Sequence, residues 1–164
     1  MEGECVEGDC INGQGTLTFP EGGKYVGGFR NGVPHGKGTL TLPDGFKYEG
    51  QLKDGKCHGQ GSATLPSGDN YVGSLENDEY HGHGTLTDAN GTKYVGHFKN
   101  NKRHGKGGMT LIDGTKIVGR WNKSENIGKG VIAFPDGRKY EGQLKDDRPH
   151  GQGIMTCPDK KKYV

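Results

Sequence analysis

Between residues 24 and 45 the chain reads KYVGGFRNGVPHGKGTLTLPDG, and its apolar and polar positions alternate. In the first run Tyr25, Gly27 and Phe29 fall on one side, with Lys24, Val26 and Arg30 on the other. In the second run Gly36, Gly38, Leu40 and Leu42 oppose Lys37, Thr39 and Thr41. A period of two marks a strand whose faces meet different surroundings. Asn31-Gly32 separates the runs and Pro43-Asp44-Gly45 follows them, and both are turn signals. No helix of useful length fits between them, so the unit reads as a β-hairpin.

The same pattern returns every 23 residues. Tyr25, Tyr48, Tyr71 and Tyr94 mark the step, Ile117 takes the next slot, and Tyr140 and Tyr163 resume it. Gly27, Gly50, Gly73, Gly96, Gly119 and Gly142 follow two residues later. Two further on stand Phe29, Leu52, Leu75, Phe98, Trp121 and Leu144. This repetition predicts an all-β chain, an elongated single-layer antiparallel sheet of tandem hairpins. Residues 1–24 read as a degenerate N-terminal half-repeat or cap, 25–162 as six tandem repeats, and 163–164 as the start of a further one. Glycine weakens a strand unless something needs the space it leaves, so the tyrosine rings are expected to lie in glycine hollows. A single layer is also expected to leave its aromatic row partly open. Tyr25, Phe29, Tyr48, Tyr71, Tyr94, Phe98, Trp121 and Tyr140 are therefore candidates for a groove that binds a protein partner or a second copy.

Composition narrows the picture. Glycine accounts for 33 residues without a three-residue period, which excludes collagen. Only 28% of the chain is hydrophobic, so each residue must bury a little against near neighbours. The formal charge of +2 argues against nucleic acid as a partner. No stretch approaches the ~20 apolar residues that span a bilayer. MEGECVEGDC has neither a basic start nor an apolar run. The compartment is left open by these residues, with the cytoplasm or a membrane periphery expected ahead of export, which would require that a leader has been removed. In an exported protein Cys5 and Cys10 could close a disulfide. Cys57 and Cys157, four repeats and ~38 Å apart at strand spacing, could not.

Candidate chemistry is thin. His35, His58, His81 and His104 recur at the repeat step, and strand spacing places them roughly 9–10 Å apart. Zinc ligands must lie within ~2.1 Å of one point, so no metal site is expected. Instead the His-Gly pairs read as turn elements at the hairpin base. The G-x-G triplets lack the helix that a phosphate loop needs. Ser62, Ser67, Ser74 and Ser124 sit in no nucleophilic context, and Asp44, Asp54, Asp113, Asp136, Asp146 and Asp147 fall in turns. Neither catalysis nor a cofactor is expected.

The pattern Y-x-G-x-[FLW]…G…H-G-x-G-x-[LM]…D-G, over roughly residues 13 to 164, resembles the MORN repeat, the membrane occupation and recognition nexus motif. The departures are Ile117 for Tyr, Ile127 for His, and Asp78, Asn101, Ser124 and Asp147 for the turn glycine of Gly32 and Gly55. They lead us to expect irregularity over 117–130. The resemblance implies a scaffold or docking module. It also implies a membrane reading, in which Lys24, Arg30, Lys47, Lys93, Lys99, Lys116 and Lys139 form a face for anionic phospholipids, each near-surface Lys contributing ~1 kcal/mol. MORN arrays often accompany a lipid kinase or a methyltransferase, so a regulatory role in a larger enzyme is a third reading.

Overall fold

The computed structural model describes residues 3–164, all in strands and turns. The strands are β1 (Glu4–Gly8), β2 (Gln14–Thr18), β3 (Lys24–Arg30), β4 (Val33–Thr41), β5 (Lys47–Lys53), β6 (Lys56–Thr64), β7 (Asn70–Glu76) and β8 (Glu79–Thr87). They continue as β9 (Lys93–Lys99), β10 (Lys102–Thr110), β11 (Lys116–Asn122), β12 (Glu125–Ala133), β13 (Lys139–Lys145), β14 (Arg148–Thr156) and β15 (Lys162–Tyr163). All 15 follow chain order in one open antiparallel sheet. Two compact units divide the chain, one ending at His81 and the other beginning at Gly82.

Two kinds of turn alternate. Asn31 and Gly32 both have positive φ, 52° and 77°, as a two-residue hairpin of the strand-matching hand requires. The other connection is three residues long and built on Pro43-Asp44-Gly45. There the Gly45 N–H donates to Leu42 O, the Leu42 N–H donates to Phe46 O, and Asp44 accepts from the Phe46 N–H. Asp113 and Asp136 cap equivalent turns, and the backbone N–H groups of Thr115 and Arg138 hold their carboxyls below the ordinary value.

Two positions that depart from the turn glycine, Asp78 and Ser124, prove to be paired rather than irregular. The second turn residue donates its N–H to a carbonyl 21 residues earlier: Gly55 to Pro34, Asp78 to Cys57, Ser124 to Arg103. At Asp78 and Ser124, where that earlier residue has an N–H of its own, the turn side chain accepts from it. Cys57 donates to Asp78 Oδ1 at 2.7 Å, and Arg103 to Ser124 Oγ at 3.2 Å. Pro34 has no N–H to offer, and glycine suffices opposite it. Gly32 faces Ile11, whose N–H is already held by Asp9 Oδ1 at 2.9 Å.

The core is built from tyrosine on glycine. Gly27 pairs with Gly38, Gly38 with Gly50 and Gly50 with Gly61, and the same column runs through Gly84, Gly96, Gly107, Gly119, Gly130, Gly142 and Gly153 in the second unit. Each tyrosine ring lies flat across this column. Its hydroxyl then donates to the carbonyl three residues on: Tyr25 to Gly28, Tyr48 to Gln51, Tyr71 to Ser74, Tyr94 to His97 and Tyr140 to Gln143, at 2.7–3.0 Å.

The His-Gly pairs are not turns at the hairpin base. They lie inside the second strand of each hairpin, where pairing with the first strand skips, as between Gly27/Gly38 and Phe29/Pro34. This is a β-bulge, and Gly36, Gly59, Gly82, Gly105, Gly128 and Gly151 take its positive φ, 64° to 86°. The bulge also interrupts the ladder at the level of the carbonyl that the tyrosine hydroxyl reaches.

The fifth repeat keeps its hairpin, β11 on β12, through the stretch expected to be irregular. Its packing differs. Ile117 has no hydroxyl, and the space over Gly119 is taken instead by the Asn126 side chain. Asn126 is only 2% exposed, yet neither of its amide atoms has a hydrogen-bond partner. Nearby, Trp121 Nε1 and Asp147 Oδ1 are also buried. Burial raises the Asp147 carboxyl above its ordinary value, and the Arg103 guanidinium and the Trp121 indole N–H pull it back only in part.

Two predictions follow from this packing. A Cβ at Gly96 would meet Gly107 Cα at 2.5 Å and the Tyr94 hydroxyl at 2.6 Å, whereas at Gly119 the nearest atom is Asn126 Nδ2 at 3.3 Å. Urea denaturation should therefore show Gly96→Ala losing about 1–3 kcal/mol or more, and Gly119→Ala less than about 1 kcal/mol. The second concerns pH. A carboxyl raised in the folded state binds its proton more tightly there than in the unfolded chain. Stability then falls as pH rises from the ordinary carboxylate value through the folded one, and stays lower above it. Asp147→Asn should raise Tm at neutral pH and leave it unchanged at about pH 3, below the carboxylate range. Asn tolerates the positive φ of 61° at this position.

Candidate interaction faces

The face that carries the tyrosines is closed. Tyr25, Phe29, Tyr48, Tyr71, Tyr94, Phe98, Trp121 and Tyr140, named above as candidates for an open groove, are all buried, with 0% to 6% of their surface exposed. The expectation of partly open rings does not hold, because the rings lie flat and box one another in. Tyr94 meets Phe98 at 5.1 Å and Trp121 at 5.2 Å between ring centroids, with the Arg103 guanidinium over its face. Tyr25 packs edge-on against Phe29, and Tyr71 stacks on Tyr80 at 3.8 Å. Burial pushes the Tyr71 and Tyr94 hydroxyls up to about 12 and Tyr48 higher still.

The opposite face is open, and register arranges its side chains in rows. One row alternates lysine with threonine: Lys24, Thr41, Lys47 and Thr64 in the first unit, then Lys93, Thr110 and Lys116 in the second. Beside it runs a row that includes Val26, Thr39, Glu49, Ser62 and Val72 in the first unit, and Val95, Gly108, Val118 and Val131 in the second. Val72 is 57% and Val118 58% exposed. A third row holds Lys37 opposite Gln51, His83 opposite His97 and Lys106 opposite Arg120. Arg30 and Lys99 stand at the far rim. All seven basic residues considered for lipid contact are exposed on this face, although Arg30 pairs with Asp54 at 2.9 Å and Lys139 pairs with Glu141. In the first unit an open trough of about 840 Å³ lies over Val26, Thr39, Glu49, Ser62 and Val72. Sequence reasoning placed Val26 on this side without recognising the valine row; the signal was the recurrence of Val at 26, 72, 95 and 118 in one repeat column.

Two of the repeat histidines, His35 and His81, stand beside carboxylates. His35 Nδ1 lies 3.5 Å from Asp54, and His81 Nε2 lies 3.5 Å from Glu76. Among the described residues no three His, Cys, Asp or Glu side chains gather as metal ligands do. Burial, with Asp78 nearby, raises the Cys57 thiol to about 12, which keeps it in the unreactive protonated form. Cys5 and Cys10 are joined as a disulfide across the β1–β2 connection. Cys157 is a free thiol.

Two solved structures share this fold. The TCP domain of SAS-4 from Drosophila melanogaster, in complex with a proline-rich motif of Ana2, matches with a TM-score of 0.62 and 10% identity, covering 98% of this chain and 87% of that one. The TCP10c domain of Drosophila melanogaster Sas-4 matches with a TM-score of 0.56 and 10% identity, covering 99% and 97%. No curated protein sequence matches. A family profile for the MORN repeat matches residues 11–24, 25–47, 48–70, 71–93, 94–116 and 140–162, leaving out only the unit in which Ile117 and Ile127 replace Tyr and His. With most of its length matched repeat by repeat, this chain belongs to the MORN repeat family.

Proposed function

We propose that this chain is a non-catalytic docking module that binds a protein partner on its open face. The carrying observation is the contrast between the two faces. The tyrosine face is consumed by its own packing, while the other presents exposed valines between rows of basic and polar side chains on a hydrogen-bonded ladder. Isolated exposed apolar residues are ordinary, but a row of them rimmed by polar residues supports an interaction surface. The shared fold of a SAS-4 TCP domain seen with a proline-rich motif supports the same reading at the level of architecture. The engaged histidines and the protonated Cys57 support a role without chemistry.

A second reading, contact with anionic phospholipid, is favoured by Lys24 and Lys47 in one exposed row of the first unit and by Lys93 and Lys116 in one exposed row of the second.

The test is comparative capture by chemical crosslinking. Val95→Asp combined with Val118→Asp should leave the fold intact, because both side chains are exposed, and should remove the proteins that the unaltered chain captures. Trp121→Ser should fail earlier, at folding, since truncating a buried aromatic costs about 3–5 kcal/mol. Unchanged capture by the folded valine variant would overturn the open-face assignment. Retention of anionic vesicles with no captured protein would favour the lipid reading.

A further inference from the structure

The two units present different charge on the open face. From Lys93 to Asn122 the only acid is Asp113, and it is held in its turn, accepting the Thr115 N–H at 2.8 Å. The corresponding stretch of the first unit interleaves acid with base: Glu49 stands between Thr39 and Ser62, and Glu76 ends β7. In the second unit Lys106 and Arg120 face each other directly across β10 and β11. Like charges in that position repel, and neither has an ion-pair partner among the described residues. Lys93 and Lys116 stand on the same strands two rows over, also without an ion-pair partner among the described residues.

Between the two basic rows lies the apolar one. Val95, Gly108 and Val118 are successive register partners, with Val131 next. A Cβ at Gly108 would meet nothing closer than 3.8 Å, so the row contains an unfilled seat between two exposed valines. The basic rows stand two residues away on each side, ~7 Å, within reach of a glutamate side chain on a segment laid along the valines.

We propose that the open face of β9–β11 docks an acidic, extended segment of a partner protein, its carboxylates meeting Lys106, Arg120, Lys93 and Lys116 and its apolar side chains resting on Val95 and Val118. The inference rests on the docking reading above and names the partner's chemistry. A peptide fits better than a bilayer because the apolar residues between the two basic rows of β9–β11 are short valines, and the larger exposed residues nearby, Ile112 and Ile127, stand apart from that row. No Leu, Phe or Trp projects from this face between β9 and β11 to enter a membrane; Phe98 and Trp121 are buried on the other side.

Fluorescein-labelled dodecapeptides of alternating Glu–Val and alternating Glu–Ser carry equal charge and separate the valine row from simple attraction. Anisotropy with the full chain near 0.1 M salt, where the screening length is ~10 Å, should show Glu–Val binding at least about fivefold tighter. Lys106→Glu with Arg120→Glu should weaken it at least about tenfold, whereas Lys24→Glu with Lys47→Glu in the first unit should change it less than about twofold. Val118→Ser should bring Glu–Val down to the Glu–Ser level. Equal affinity for the two peptides, or indifference to the Lys106/Arg120 reversal, would overturn the proposal. So would sedimentation with phosphatidylserine-containing vesicles that depends on these residues while the Glu–Val peptide stays unbound. If Glu–Val fails to bind but crosslinked protein capture persists through the Lys106/Arg120 reversal, the docking reading stands and this surface falls; loss of capture by the unaltered chain removes both.

Discussion

Everything in this molecule depends on a tyrosine ring lying flat over glycine. A sheet one layer thick has no second layer to bury its apolar face against, and 28% hydrophobic residues could not build one. A ring that stood up from the pleat would remain wet. Laid down across the glycine column, it buries against backbone and is walled by the next aromatic along, as Tyr94 is by Phe98 and Trp121. The glycines are thus a volume requirement: a Cβ at Gly27 would fall 2.5 Å from Gly38 Cα and from the Tyr25 hydroxyl. The bulge at His-Gly serves the same arrangement, because the interrupted ladder lies at the level of the carbonyl that receives the tyrosine hydroxyl.

This packing divides the labour between the faces. One face is spent on stability, and its aromatics are unavailable to a partner. The other contributes little to burial, so its rows can vary without cost to the fold. That freedom shows in the second unit, where basic residues accumulate around exposed valines with Asp113 the only acid between Lys93 and Asn122. It shows differently in the fifth repeat, where the closed face is itself altered. Ile117 gives up the hydroxyl, and Asn126 is left with its buried amide atoms unpartnered. Such atoms cost stability, although the same repeat holds well-buried apolar residues such as Ile117 and Ile132.

The architecture was legible because alternation and the 23-residue step each pointed to hairpins, and the turn dipeptides set their ends. The packing of tyrosine on glycine was legible for the same reason. Four features were not. Burial of the aromatic row was missed because a single layer suggests exposure, and only the flat lie of the rings overturns that. The bulge was missed because His-Gly reads as a turn: a glycine with positive φ inside a strand leaves no mark that separates it from one in a loop. The turn substitutions looked like decay of the motif. Asp78 and Ser124 are instead matched, at an offset of 21 residues, to the N–H groups of Cys57 and Arg103, while Gly55 stands opposite Pro34. The open face was the hardest to read, since lysine and valine on a solvated pleat carry no motif of their own.

Trp121 is the only tryptophan in the chain and sits in the middle of the aromatic row at 1% exposure. Its fluorescence therefore reports directly on whether that row is a closed core. In the folded chain its emission should be blue-shifted and nearly insensitive to acrylamide, with both properties lost together on unfolding in urea. Red-shifted emission, quenched as readily before unfolding as after, would mean that the row is open to solvent and that the division between a closed and a working face is wrong.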